Sequence, residues 1–245
     1  MIHFNSCTIT ECGKIYRNNE DWVKAVDEAG IFAIADGIGG RPGGNLASQM
    51  AVEVFISQLS IMNAAERLDE SNIYKVIEIM NFKVRELAEA DSMLTGLGTT
   101  FSSLILNGIT GKTVHIGDSR IYQFHENQLV QLTTDHTVAV ELMKINQFNP
   151  EGAKHSRFSN ILSRYIGGDE VSKPDIENVY AYANDLFILS TDGLDEIIET
   201  QELQNIIISK QKGTPEAICE IIKQKALDNC PRDNATVAVI KVLEI

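Results

Sequence analysis

Five aspartates in this 245-residue chain stand where an apolar run meets a polar turn. Their contexts are "RNNEDW" for Asp21, "AIADGIGG" for Asp36, "VHIGDSRIY" for Asp118, "LFILSTDGLDE" for Asp192 and "CPRDNATVAV" for Asp233. A single aspartate of this kind is most often an ordinary turn residue. Five of them predict more, because strand ends at one sheet edge lie close together and would bring the carboxylates into one place.

Several carboxylates in one place repel one another and stay partly protonated unless a cation joins them. The candidate ligands are all oxygen, with no His or Cys at zinc spacing, which indicates Mg²⁺ or Mn²⁺, with Ca²⁺ as an alternative. Two such ions held about 3.5–4 Å apart can activate a bridging water for in-line attack on phosphorus. The aspartates therefore predict metal-assisted hydrolysis of a phosphate ester.

The glycine run after Asp36, "GIGGRPGG", fits the same chemistry. Gly37 has no side chain, so its carbonyl oxygen can approach a metal ion or its water. The other glycines of the run permit backbone angles and close approaches that a Cβ would block. The run lacks the Gly-Lys-Ser/Thr ending of a nucleotide P-loop.

Composition excludes several other classes of protein. The net charge of −13 would repel phosphate backbones and argues against nucleic-acid binding. The start "MIHFNSCTIT" lacks the layout of a signal peptide, and no apolar run approaches the roughly 20 residues that span a bilayer. Cys7, Cys12, Cys219 and Cys230 have no zinc-like spacing and read as reduced thiols. We expect a soluble cytoplasmic protein.

Hydropathy patterns predict the elements that position the aspartates. Helical spacing predicts helices near 45–60, 71–90 and 137–145, and Thr-Pro-Glu at 214–216 predicts a helix to about Asn229. Buried strands are predicted from "IFAIA", "DLFILS" and "NATVAVIKVL".

Four short strand-like runs in the middle of the chain, "TTFSSLIL", "KTVHIG", "RIYQFH" and "QLVQLT", are separated by the turn-like "NGIT", "GDS" and "HEN", which predicts an antiparallel meander. Strands and helices are grouped rather than alternating, so the pattern favours a layered α+β fold. No linker or repeat divides the chain, and we expect one domain over residues 1–245.

Taken in order, eight motifs of the chain resemble those of the protein phosphatase type 2C family, the metal-dependent PPM Ser/Thr phosphatases, in their compact bacterial branch. The motifs are "NNEDW", "ADGIGGRPGGNLAS", "GLGTTFSSLIL", "HIGDSRIY", "LTTDH", "SNILSRYIGG", "FILSTDGL" and "DNATVAVI", between about residue 7 and residue 243. The resemblance implies a four-layer α/β/β/α sandwich of two antiparallel sheets flanked by helices, with metals in a cleft at one end of the sheets.

The resemblance also implies a role for each matching residue. Asp36 would bridge two metal ions, and Asp192 and Asp233 would complete the protein ligands of the first, which makes these three the catalytic residues. The Gly37 carbonyl oxygen would be a ligand of the second ion, and Asp21 would hold the waters of that ion. In this family the nucleophile is a metal-bound water or hydroxide, and no phosphoenzyme forms.

Asp118 matches the aspartate that holds a third ion in bacterial members, so the resemblance implies two or three ions of Mn²⁺ or Mg²⁺. The stretch from about Met143 to Ser159 matches the mobile flap beside the cleft. The implied partners are phosphorylated Ser/Thr proteins, including a Ser/Thr kinase. We expect no nucleic-acid or membrane partner, and a monomer.

One motif departs from the family pattern. Bacterial members usually read Gly-x-x-Arg-x-x-Asn-Glu-Asp, and the Arg grips the substrate phosphate, whereas this chain reads "GKIYRNNED". Tyr16 takes the place of that arginine and Arg17 follows it, and a one-residue step along a strand turns a side chain to the opposite face. The phosphate is gripped by Arg17 through a local distortion, by the Tyr16 hydroxyl, or by another group.

Two hypotheses of function follow. The first is an active metal-dependent Ser/Thr phosphoprotein phosphatase. The alternative is a pseudo-phosphatase or phosphoprotein-binding regulatory module with little turnover, which rests on Tyr16 alone. The complete set of acids argues against the alternative, because buried acids without a metal to hold would only destabilise the fold.

Replacing Tyr16 by Arg, the residue that bacterial members usually have at this position, tests how the phosphate is bound. A neutral hydroxyl binds phosphate more weakly than a bidentate guanidinium, so Tyr16→Arg should tighten product inhibition by inorganic phosphate. The measurement is the inhibition constant of phosphate for the wild type and the variant. An unchanged constant would count against the weak-grip hypothesis.

Overall fold

A computed structural model of the protein describes residues 3–13, 18–38, 43–154, 156–210, 213–229 and 231–244. Tyr16 and Arg17, and the glycines at 39 and 40, lie outside these ranges, as does Cys230. Within them Cys7 and Cys219 carry free thiols, as predicted. No helix in the described ranges is both long and apolar enough to cross a bilayer.

Two five-stranded antiparallel sheets form the centre of the fold. The first has the strand order β1 (His3–Glu11), β10 (Ala235–Glu244), β9 (Leu186–Ser190), β6 (Arg120–His125), β7 (Gln128–Gln131). The second has the order β2 (Asp21–Val26), β3 (Ile31–Asp36), β4 (Phe101–Asn107), β5 (Thr110–Ile116), β8 (Asp175–Tyr180).

The helices are α1 (Gly44–Ser60), α2 (Ala64–Leu68), α3 (Glu70–Ala90), α4 (Val138–Lys144), α5 (Pro150–Lys154), α6 (Thr200–Lys210) and α7 (Pro215–Asn229). The predictions of α1, α3, α4 and α7 are confirmed. The sequence analysis did not predict α2, α5 or α6.

Alternating side chains on the strands define the layers. On β3, Phe32 and Ile34 face the other sheet and pack with Phe187 and Leu189 of β9. The intervening residues of β3 pack under α1 and α3, and the outer face of β9 packs under α6 and α7. Because neighbouring strand residues point to opposite faces, both sheets are buried on both sides. The predicted four-layer α/β/β/α sandwich is confirmed.

The predicted meander in the middle of the chain is wrong in one respect. Strand β4 pairs with β5 and β6 pairs with β7, but β5 and β6 belong to different sheets. The "GDS" segment is therefore a crossing between sheets and not a hairpin turn. Gly117 has φ 110° there, and a Cβ on it would lie 2.6 Å from Thr100, so the crossing requires glycine. The crossing places Asp118 between the two sheets.

The helix-to-sheet contact is anchored by two aromatic rings. Phe55 of α1 and Phe101 of β4 are fully buried, and their ring centroids lie 4.7 Å apart. Tilted pairs at this separation contribute beyond the area they bury. This contact fixes α1, and with it the end of the glycine run, against the second sheet.

Phe55→Ala should therefore lower the free energy of unfolding by about 3–5 kcal/mol, since it removes a buried ring and leaves a cavity. The matched control is Phe82→Ala on α3, where the side chain is 62% exposed and a change under about 1 kcal/mol is expected. Urea unfolding of both variants measures the difference. Equal effects of the two substitutions would contradict this description of the core.

Candidate active site

Two of the five aspartates face each other across neighbouring strands. Asp21 is the first residue of β2 and Asp36 the last of β3, and the two are directly paired in register. The backbone of Asp36 is fixed by the "GTT" motif: its N–H donates to Thr100 Oγ1 at 2.9 Å, and its carbonyl accepts from Thr99 Oγ1 at 2.7 Å. The sequence reading did not single out these threonines, although they fix the backbone that carries Asp36.

The other sheet supplies two more aspartates at the same end of the sandwich. Asp192 follows β9 and Asp233 precedes β10. Between the sheets, Thr191 Oγ1 donates to Asp21 Oδ2 at 2.9 Å, and this bond ties the end of β9 to the start of β2. A Cβ on Gly193 would overlap the Asn234 carbonyl oxygen, which explains the glycine of "STDG". The aspartates thus come from both sheets and not from the edge of one.

Asn234 and Glu20 also make hydrogen bonds that fix the backbone around the aspartates, and the sequence analysis predicted neither residue. Asn234 Oδ1 accepts from the Glu20 N–H at 2.8 Å, and Asn234 N–H donates to Asp233 Oδ1 at 2.7 Å. The Glu20 carbonyl accepts from the Gly37 N–H at 3.0 Å. Burial, and then Asp233, raises the pKa of the Glu20 carboxyl, which therefore belongs to the same electrostatic group. Glu20 lies in the motif "NNED" and Asn234 in the motif "DNAT".

Gly37 has a packing role in the structure. A Cβ on this residue would overlap the backbone of Gly44, at the start of α1. The glycine therefore lets α1 begin directly against the end of β3. This requirement stands beside the predicted role of the Gly37 carbonyl, which stays a prediction.

The aspartates share one electrostatic environment. Burial is the largest cause in each case, and it raises the pKa of Asp21 to about 7, of Asp118 to about 8 and of Asp192 to about 6. Burial also raises the pKa of Asp233, and it raises the pKa of Asp36 well above its usual range. Neighbouring aspartates raise the pKa of Asp36 further, which shows that the carboxyls lie within electrostatic reach of one another.

The donor set fits divalent cations. Asp21 Oδ1 and Asp192 Oδ1 are buried without a hydrogen-bond partner among the described residues. In the described ranges no three Asp, Glu, His or Cys side chains are arranged to hold one ion by themselves. Such a site suits Mg²⁺ or Mn²⁺, since ions of this type take one or two carboxylates and keep several waters.

A cavity of about 1010 Å³ opens beside the carboxylates. Asp118, Asp192 and Asp233 line it, together with Val140 and Met143 from the segment that carries α4 and α5. Thr137 and Leu162, at the two ends of that segment, pair as an isolated bridge. The stretch predicted as the flap, 143–159, lies between these two residues in the sequence.

Two histidines pack at the crossing between the sheets. His136 is buried; its Nδ1 accepts from the Gly117 N–H at 3.2 Å, and its Nε2 lies 3.0 Å from Asp175 Oδ2. His115 stacks on His136, and burial lowers the pKa of His115 to about 4, so that this ring is neutral. Arg120 is an ion-pair residue and contacts Asp135 at 2.7 Å.

Comparison with known proteins agrees with this geometry. The sequence profile of the family described as "Protein phosphatase 2C" matches residues 17–210. The chain is 32% identical over 244 residues to the protein phosphatase PhpP of Streptococcus pneumoniae serotype 2, with 96% of each chain covered.

Two solved structures share the fold. The Mycobacterium tuberculosis serine/threonine phosphatase PstP/Ppp superimposes with a TM-score of 0.88 at 27% identity, with both chains fully covered. A PstP catalytic domain in complex with two manganese ions gives a TM-score of 0.86 at 26% identity, again over the whole of both chains. By its sequence profile, its relatives and its fold, the chain belongs to the protein phosphatase 2C family.

Proposed function

We propose that the clustered aspartates hold the divalent ions of a Ser/Thr protein phosphatase, and that the cavity beside them receives the phosphorylated residue. As a member of its family, the protein is a Mn²⁺- or Mg²⁺-dependent Ser/Thr phosphatase with two ions. The observation that carries the assignment of the site is the pair of buried, unpartnered oxygens on Asp21 and Asp192. No finding supports the alternative of a binding module without turnover.

The proposed roles follow from position. Asp36, Asp192 and Asp233 would be the catalytic ligands, since their carboxyls lie within electrostatic reach of one another. Asp21, which accepts a hydrogen bond from Thr191, and the Gly37 carbonyl would hold the second ion and its waters. The bound ions supply a Lewis acid that lowers the pKa of water and neutralises charge on the phosphate.

Asp118 is the proposed additional ligand of a third ion. It lies on the crossing between the sheets and lines the same cavity as Asp192. Arg17 and Tyr16 remain the proposed phosphate-binding residues. This assignment rests on the resemblance and on their place in the sequence shortly before Asn19, whose side chain accepts from the Asp21 N–H at 3.0 Å.

The wider assignments are also proposals. Residues 1–245 form one catalytic domain that acts as a cytoplasmic monomer on phosphorylated Ser/Thr proteins, among them a Ser/Thr kinase. The names of the relatives, which include a serine/threonine phosphatase of Listeria welshimeri at 30% identity, support phosphorylated Ser/Thr substrates. The net charge of −13 disfavours nucleic acid as a partner.

Hydrolysis of an aryl phosphate tests the assignment of the site. The wild type should turn over para-nitrophenyl phosphate only with added Mn²⁺ or Mg²⁺, and Asp36→Asn should lower kcat by about a hundredfold or more, since electrostatic stabilisation of the transition state is lost. Steady-state rates with a metal titration measure both effects. A wild type as inactive as Asp36→Asn, or equal activity in chelator, would contradict the proposal.

The raised pKa values predict an unusual pH dependence of stability. In the metal-free protein Asp118 binds its proton more tightly when folded, with a pKa of about 8 against about 4 unfolded, so stability is lost as the pH rises between these values. In chelator, the melting temperature should fall by about 5 °C or more from pH 5 to pH 8. Asp118→Asn should reduce that fall.

The control for this titration is Asp69→Asn, in an exposed helix cap whose hydrogen bonds lower the pKa of the Asp69 carboxyl. This variant should show the full fall in melting temperature. Added Mn²⁺ should restore the stability of the wild type at pH 8, because the ions neutralise the cluster. A wild type in chelator that is as stable at pH 8 as at pH 5 would refute the electrostatic description.

A further inference from the structure

We propose that the active-site cavity selects phosphorylated segments with a basic residue, Lys or Arg, within a few positions of the phosphoresidue. This inference rests on the proposed function, because it concerns how substrates enter the same site. The specificity residues are Glu196 and Glu199, which line the cavity. No described hydrogen bond or ion pair joins either side chain to a proposed metal ligand, although Glu196 lies within electrostatic reach of Asp233.

The charge of the cavity lining is strongly one-sided. Among the described residues, the lining carries seven carboxylates and one cation, Arg120. Three of these carboxylates, on Asp118, Asp192 and Asp233, belong to the group where the divalent ions are proposed to bind. The other four, on Asp135, Asp195, Glu196 and Glu199, are named the wall carboxylates.

Arg120 does not neutralise the whole wall. Its guanidinium donates to both oxygens of Asp135, at 2.7–3.2 Å, and also pairs with Asp195. These contacts occupy the cation with two of the four wall carboxylates. Glu196 and Glu199 are exposed and have no ion pair in the described structure, although Glu196 Oε2 accepts from the backbone N–H of Arg232 at 2.7 Å.

The cavity also shows that it receives a ligand. Asp192 lines the cavity, and its buried Oδ1 has no hydrogen-bond partner among the described residues, which indicates a bound species at this place and not close packing. The part of the lining that comes from α4 is apolar, with Ala139, Val140 and Met143. A cavity lined by both apolar side chains and acids suits Lys and Arg, whose aliphatic stems pack on apolar surface while their charged ends reach carboxylates.

Electrostatics then favours one class of substrate. A phosphoresidue brings two negative charges toward walls that are already negative, which slows encounter and weakens binding. A flanking cation offsets that repulsion and pairs with Glu196 or Glu199. A flanking Glu adds to the repulsion, so substrates with acidic flanks are disfavoured.

The experiment compares phosphothreonine peptides that are identical except for flanking residues of Arg, Gln or Glu. For each enzyme variant, the kcat/KM of every peptide is divided by that for para-nitrophenyl phosphate, which has no flanks. The wild type should prefer the Arg peptide to the Gln peptide by about fivefold, since exposed pairs are worth up to about that factor each. The preference should shrink at high ionic strength.

Variants of Glu196 and Glu199 test whether these residues cause the preference for a flanking Arg. The double variant Glu196→Gln with Glu199→Gln should lose most of the preference, and Glu199→Lys should shift it toward the Glu peptide. The matched control is Glu220→Gln, an exposed glutamate on α7 away from the cavity, which should keep the wild-type preference.

Equal normalised kcat/KM for the Arg, Gln and Glu peptides, or a preference that survives both wall variants, would overturn the inference and leave the phosphatase assignment intact. A wild type that hydrolyses neither the peptides nor the aryl phosphate with Mn²⁺ would instead overturn the proposed function, and this inference with it.

Discussion

The repulsion among buried carboxylates at one end of the sandwich is the constraint on which the rest of the structure depends. Burial and neighbouring acids both raise the pKa values of this group, so a metal-free fold must hold protons or tolerate repulsion. These carboxylates destabilise the fold, and two of their buried oxygens have no hydrogen-bond partner among the described residues. A ligand that supplies positive charge explains both observations.

The sandwich holds these groups because strands from both sheets end at the same place. The Thr191–Asp21 bond joins the sheets directly, and the Asn234–Glu20 bond does so a second time. Thr191 and Asn234 suit this position because their side chains are neutral hydrogen-bond donors and acceptors, which join the sheets without adding charge. The proposed metal ligands are thus positioned by the ends of regular strands, whereas the segment that carries α4 and α5 lines the cavity and runs between Thr137 and Leu162, which pair as an isolated bridge.

Much of this architecture could be predicted from sequence because local patterns determine it. The apolar spacing of α1 and α3 is regular over many turns, and each aspartate follows a recognisable change from apolar to polar residues. The crossing at Gly117 could not be read in the same way. Short turn segments between strand-like runs look alike whether the next strand pairs with the last one or joins another sheet, and tertiary packing decides between them.

The residues missed in the site share a physical cause. Thr191 and Asn234 act through hydrogen bonds to residues more than 150 positions away, and no local pattern marks such a partner. Helix α6 was missed because three consecutive isoleucines, 206–208, blur its helical period toward that of a buried strand. Asp36 and Asp192 were found because their glycine neighbours carry a local signal.

The most direct measurement of the central claim is anomalous X-ray scattering from crystals of the protein soaked in Mn²⁺. We predict at least two manganese peaks at the carboxylate cluster, both within about 2–2.3 Å of Asp36 oxygens, with Asp192 and Asp233 on one of them. Strong peaks elsewhere on the protein with none at Asp36, or no peak at saturating Mn²⁺, would contradict the account.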